Sequence, residues 1–156
     1  MVEKSQPFVS VIVPVFNNAE GITLLLTALE SQSYDNGSYE VIIVDNGSQD
    51  GTFEVASNIA RQTATTIKVV QELQVGAYAA RNKGVAEASG EILAFTDSDC
   101  VPTSTWVEKG VASLNGSSAD GAAGRVEFTF IGAKANPYEY VDSVNKLAQE
   151  TYVTKL

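Results

Sequence analysis

The sequence has no histidine, one cysteine, four prolines and a single tryptophan among its 156 residues. Without imidazole there is no His-ligated zinc, and neither a Ser–His nor a Cys–His nucleophile. Cys100 alone forms no disulfide within the chain, which fits a reducing, cytoplasmic setting. Positive charge is scarce as well: ten Lys and Arg stand against nineteen Asp and Glu, a net charge of −9. Such a chain lacks the basic surface that nucleic acid requires, and it does not adhere to anionic membranes by charge. No run reaches the roughly 20 apolar residues of a membrane helix. No secretory signal is read at the N-terminus, since Glu3 comes early and Pro14 interrupts the apolar run. A phosphate-bearing ligand would therefore need a local cation, and any chemistry falls to acids, hydroxyls and backbone groups.

What is present is a core. Hydrophobic residues make up 44% and charged residues 19%, the composition of one packed domain over residues 1–156. Phe8 to Val15 is a nearly continuous apolar run rich in β-branched residues and reads as a doubly buried strand. Asn17 or Asn18 can cap a helix whose Ile22, Leu25, Leu26 and Leu29 recur at helical spacing. Val41 to Val44 reads as a second strand, and Asp50 as the cap of a helix presenting Phe53, Ala56, Ile59 and Ala60. A strand over Ile67 to Val70, a helix from Ala77 to Ala88 ended by Gly90, and a strand over Glu91 to Thr96 follow. A helix around Trp106, Val107, Val111 and Leu114, a strand from Ala122 to Phe130 and an amphipathic helix from Tyr138 complete the expectation. Alternation of this kind implies an α/β fold with a mainly parallel sheet and helices on both faces.

In an open parallel sheet, ligands bind at the carboxyl ends of the strands. Three such ends carry polar clusters here: Pro14-Val15-Phe16-Asn17-Asn18, Asp45-Asn46-Gly47-Ser48-Gln49-Asp50-Gly51-Thr52 and Thr96-Asp97-Ser98-Asp99-Cys100. Asp97 and Asp99 are the sharpest feature, because neighbouring carboxylates repel unless a cation or proton lies between them. Mg²⁺ and Mn²⁺ prefer oxygen ligands and are commonly shared between carboxylates and substrate phosphates. The same Asp-Ser-Asp also suits a plain solvated turn. Asp45 can face the crevice as an acceptor for a nucleobase or ribose, and Asp45 to Thr52 also reads as a turn with a helix cap. Small residues at Gly76, Ala77, Ala80 and Gly84 let their helix pack closely. Arg81 can brace the aspartates, contact a phosphate or pair with Glu87 on the surface. Cys100 reads as a small buried residue, Trp106 as core, and Tyr34 and Tyr39 carry no signal.

Val-Ile-Val-Pro-Val-Phe-Asn, Val-Ile-Ile-Val-Asp-Asn-Gly-Ser-Gln-Asp-Gly-Thr, Ala-Ala-Arg-Asn-Lys-Gly and Gly-Glu-Ile-Leu-Ala-Phe-Thr-Asp-Ser-Asp, in this order, resemble family 2 glycosyltransferases of the GT-A fold. The resemblance runs from about Val9 to Trp106. It implies an inverting sugar transfer from a nucleotide-diphosphate donor, commonly a UDP-sugar, with Mn²⁺ or Mg²⁺. It places Pro14, Phe16, Asp45 and Asn46 at the nucleoside, Gly76 and Arg81 along the nucleotide, Asp97 at ribose and metal, and Asp99 on the metal. Phe16 stands where a Tyr is usual, and Asn18 and Asn46 where acids are frequent. The general base of similar sequences follows the metal motif in an acidic context absent around Glu108, Asp120, Glu127, Glu139, Asp142 and Glu150. The expectation is thus an N-terminal donor-binding part with its base beyond Leu156. The acceptor, whether a glycan, a lipid or a small molecule, is unread, and the parent enzyme can sit peripherally on the cytoplasmic membrane face. Two alternatives stand beside this: a nucleotide-binding module without activity, and a phosphatase of the haloacid dehalogenase type, because Asp97-Ser98-Asp99 follows an apolar strand.

Overall fold

The computed structural model describes residues 6–115 and 120–126. The chain divides into two compact units, Met1–Ala112 and Ser113–Leu156. In the first unit, β1 (Val9–Val15), β2 (Tyr39–Asp45), β3 (Thr66–Gln71) and β4 (Ile92–Phe95) alternate with α1 (Ala19–Glu30), α2 (Thr52–Ala60) and α3 (Ala77–Glu87), and α4 (Trp106–Asn115) follows. Among the described residues all strand pairs are parallel, in the order β3-β2-β1-β4. The α/β expectation holds. In the second unit, residues 120–126 are exposed and carry neither helix nor strand, so the strand expected from Ala122 does not begin there. The remainder of that strand and the helix from Tyr138 lie outside the described residues.

β1 and β2 are buried along their whole length, as their unbroken apolar runs require. One face packs Val11, Val13, Val41 and Ile43 against Leu25, Leu26 and Leu29 of α1, with Ala56, Val107 and Val111 in the same cluster and Trp106 packed against it. The other face packs Ile12 and Val44 beneath α3, where a Cβ on Gly84 would meet Ile12 Cγ2 at 2.4 Å. Glycine at that position is what lets the helix lie on the sheet. Among the described residues β4 pairs with Val9–Ile12 of β1 alone. Pro14, which has no N–H, therefore sits where the central strand already has fewer partners.

Helix boundaries correct two sequence expectations. α2 is capped by Gly51, which adopts a left-handed conformation, φ 86°. Asp50 stands one residue earlier, where its Oδ1 accepts the Thr52 N–H and its Oδ2 the Ala19 N–H. α3 ends at Ala88 rather than through Gly90. Gly90 serves a close approach instead, since a Cβ there would lie 2.5 Å from the Ser10 backbone nitrogen. Tyr34 and Tyr39, silent in the sequence, are core residues whose hydroxyls donate to Pro7 O and Leu29 O. Among the described residues no helix is long and apolar enough to cross a membrane.

Candidate functional site

The carboxyl ends of β1, β2 and β4 open onto one cleft of about 500 Å³. It is lined by Pro14, Phe16, Asn18, Asn46, Arg81 and the three residues Asp97, Ser98 and Asp99, among others. The convergence expected from three polar strand ends is therefore real. Both aspartates face this cleft and are exposed, as is the Phe16 ring at 61%. Arg81 reaches from the second turn of α3 to Asp97, with Nη2 and Oδ1 2.5 Å apart. Of the readings open for Arg81, bracing an aspartate is the one the structure shows. Glu87 is taken instead by Lys83 and Lys68.

The loops around the cleft are tied together by amide and hydroxyl side chains. Asn18 caps α1 by accepting the Gly21 N–H, while its Nδ2 donates to Ser98 Oγ at 3.1 Å. That bond fixes the middle of the Asp-Ser-Asp turn to a helix terminus, and a carboxylate at position 18 has no proton for it. Asn17, in a left-handed conformation (φ 48°), donates its backbone N–H to Ser48 Oγ and accepts the Gln49 N–H on Oδ1. Thr52 accepts the Asn18 N–H and donates to Asp50 Oδ1. The exposed Asp50 carboxyl is held below its ordinary range first by that Thr52 hydroxyl and then by backbone N–H groups. The sequence showed these residues as polar clusters, but not that they bond to one another.

Two expected positions behave differently from the expectation. Asp45 does not line the cleft. Its side chain is fully buried, because as the last residue of β2 it turns Oδ2 back to accept the Ser48 N–H at 3.2 Å. Its Oδ1 is the buried side-chain polar atom among the described residues that has no partner. Gly76 does not line the cleft either. It forms the left-handed entry to α3, with φ 125°, and its neighbour Ala77 takes the place at the surface of the cleft. Cys100 is half-buried, and burial first, then the nearby Asp99 charge, pushes its thiol up. A thiol so placed is a poor nucleophile.

Residues 10–152 match the sequence model of Glycosyl transferase family 2. The chain belongs to this family. That membership removes the phosphatase alternative. Among curated relatives of this family 2 chain, glycosyltransferase AglE of Haloferax volcanii is 43% identical over 149 residues, covering 96% of this chain and 49% of AglE. The chain thus spans about half the length of that relative. Putative glycosyltransferase EpsH of Bacillus subtilis is 38% identical over 102 residues, 65% of this chain and 27% of EpsH. Among solved structures, S. aureus TarS 1-349 in complex with UDP superimposes with a TM-score of 0.67 at 27% identity, over 83% of this chain and 38% of that one. The mannosyltransferase PcManGT of Pyrobaculum calidifontis, in complex with GDP-Man and Mn²⁺, gives 0.60 at 32% identity, over 65% of this chain and 30% of that one. The parallel sheet with its flanking helices is accordingly a GT-A fold.

Proposed function

We propose that this chain is the donor-binding part of a glycosyltransferase that transfers a sugar from a nucleoside-diphosphate donor, a UDP-sugar, with the help of Mn²⁺ or Mg²⁺. The observation that carries the reading is the placement of Asp97, Asp99 and Arg81 on one cleft at the strand ends of a family 2 domain. Solved relatives hold UDP, UDP-GlcNAc, or GDP-Man with Mn²⁺ in this fold. A lone cysteine supports a cytoplasmic setting.

The donor set fits a hard divalent ion in part. Asp97 and Asp99 would offer carboxylate oxygens to the ion, with the donor diphosphate as the other hard ligand. Among the described residues no cluster of three or more acidic or sulfur ligands exists, so the ion would be shared with the substrate rather than caged by protein. Such an ion supplies charge neutralisation for the departing diphosphate. The rest of the work falls to the chain's own groups. Phe16 and Pro14 offer an apolar wall to the nucleoside, and Asn46 lines the cleft beside them. Asp45 does not reach the cleft surface as it stands, but its buried Oδ1 lacks a partner, and a side-chain rotation that releases the Ser48 N–H would turn it out as the acceptor for a nucleobase or ribose donor. Arg81 holds the orientation of Asp97 and stands ready for phosphate oxygens. Transfer is then a direct displacement. The acceptor oxygen bonds to the anomeric carbon, the bond from that carbon to the diphosphate breaks, and the hydroxyl proton passes to a base. Of the described acids after Asp99, Glu108 accepts from Ser33 Oγ and does not line the cleft. We place the base beyond Leu156, in keeping with a chain that spans 49% of its relative.

Titration of UDP and GDP with and without Mn²⁺, on the wild type and on Asp99→Ala, tests this reading. Metal-dependent nucleotide binding, weakened at least about tenfold in the variant, is expected. Binding that ignores both the ion and the substitution sinks the metal assignment. The 156-residue chain is expected to bind donor and to transfer sugar poorly or not at all. Sugar transfer by this chain alone would place the base within it.

A further inference from the structure

We propose that Asn46 is a positioning residue of the donor cleft: its side-chain amide fixes the loop that starts α3, and so sets where Arg81 meets Asp97. The inference rests on the donor-site reading above. Asn46 follows β2 directly, yet all its side-chain bonds go to the loop between β3 and α3. Nδ2 donates to Glu72 O and to Gln74 O, each at 2.8 Å, and Oδ1 accepts the Gly76 N–H at 2.8 Å. One planar amide thereby uses both of its protons and its oxygen on three backbone groups within five residues.

That loop has little else to hold it. Leu73 and Val75 are 82% and 85% exposed, so no apolar anchor pins it to the core. Its other ties are the Glu72 N–H on Asp45 O, the Gln74 N–H on Glu72 Oε1 and a bond from Gln74 Nε2 to Tyr78 Oη. The first of the Gln74 bonds lies within the segment and the second ends on α3, so neither attaches it to the sheet. Gly76 also needs fixing, because φ 125° is one of many conformations open to glycine. The helix begins at the next residue, and Arg81 follows one turn on. Position 46 thus governs the direction in which α3 enters the cleft, and through it the Arg81–Asp97 pair.

The chemistry demands an amide. A carboxylate of the same shape keeps an acceptor for the Gly76 N–H, but it has no protons for the two carbonyls and would set negative oxygen against them. Asn46→Asp therefore preserves size while removing both donor bonds, and Asn46→Ala removes all three bonds without adding charge.

The test uses the whole 156-residue chain. Without nucleotide, amide hydrogen exchange at Gly76 and the first turn of α3 speeds up in Asn46→Asp, while exchange in α1 stays as in the wild type. Affinity for UDP with Mn²⁺ falls about tenfold in both variants, and this loss shrinks when Arg81→Ala is already present, because the two residues act through one element. Unchanged exchange at Gly76 overturns the proposal. So does a variant with wild-type affinity, or an equal loss in both backgrounds. In those cases the wild type still binds nucleotide and the donor-site reading survives. A wild type that binds neither UDP nor GDP in the presence of Mn²⁺ overturns both.

Discussion

Strand β2 carries two buried carboxylates, one near each end, and among the described residues only Asp45 keeps an enclosed oxygen without a donor. Glu40, at the amino end, accepts on one oxygen, Oε1, both the Ser10 hydroxyl and the Ser89 N–H, each at 2.7 Å. Ser10 Oγ in turn accepts the Ser89 and Gly90 N–H groups, so four residues from three segments close into one buried network. Asp45, at the carboxyl end, is equally buried but has one oxygen bonded and the other empty. A buried acceptor without a donor is costly, and folds seldom keep one without a use. The contrast separates an acid that serves the fold from an acid that awaits a ligand, along a single strand.

The largest effect is expected where the network is closed. Glu40→Ala removes the acceptor from the Ser10 hydroxyl and the Ser89 N–H in a buried setting, and should cost about 3 kcal/mol of stability. Urea unfolding measures this, and the folded fraction should bind nucleotide as the wild type does. If Glu40→Ala weakens binding as much as it lowers stability, the two ends are not separable and the comparison fails.

A smaller effect, of a different kind, belongs to Asp45. Asp45→Asn keeps the volume and can keep the bond from Ser48, so stability should move little. Affinity for the nucleoside diphosphate should fall about tenfold, or about 1.4 kcal/mol, as the empty oxygen loses its charge. Calorimetric titration reads the affinity and urea unfolding the stability. A large stability loss with unchanged affinity would return Asp45 to the fold.

The same contrast explains what could be read in advance. The elements were legible because β1 and β2 are continuous β-branched runs and α1 places Ile22, Leu25, Leu26 and Leu29 at one spacing. Asp97, Asp99, Phe16 and Asn46 were legible as cleft residues because strand ends of a parallel sheet converge by topology, and Arg81, on α3, through the family resemblance. The bonding within the cleft was not. Nothing in the letters says that Asn18 reaches Ser98, eighty residues on, or that Asn46 spends its amide on residues 72–76. The Ser10–Glu40–Ser89 network was equally silent, since its members are ordinary polar residues made neighbours by strand register. The resting orientation of Asp45 was not legible, because a carboxylate at a strand end can point into the crevice or turn back into the turn that follows it. Its own Ser48 N–H decides the matter.

The smallest effect is a slope rather than a step. Burial by itself would raise the Glu40 carboxyl, but the bonds from Ser10 and Ser89, with Lys68 nearby, outweigh it and hold the group below its ordinary value of 4.5. A carboxyl lowered on folding lends stability that is full above its unfolded value and is lost as pH falls through its folded one. Glu40→Gln cannot titrate. The stability difference between wild type and Glu40→Gln should therefore hold steady at neutral pH and shrink as pH falls through and below the ordinary glutamate value of 4.5. Other carboxylates held low, such as Asp50 and Glu87, add their own acid dependence to both proteins and cancel in the difference. Unfolding midpoints in urea across that range give the result. A difference independent of pH would mean that the buried network works equally well with its carboxyl protonated, and the amino end would lose its claim to need a charge at all.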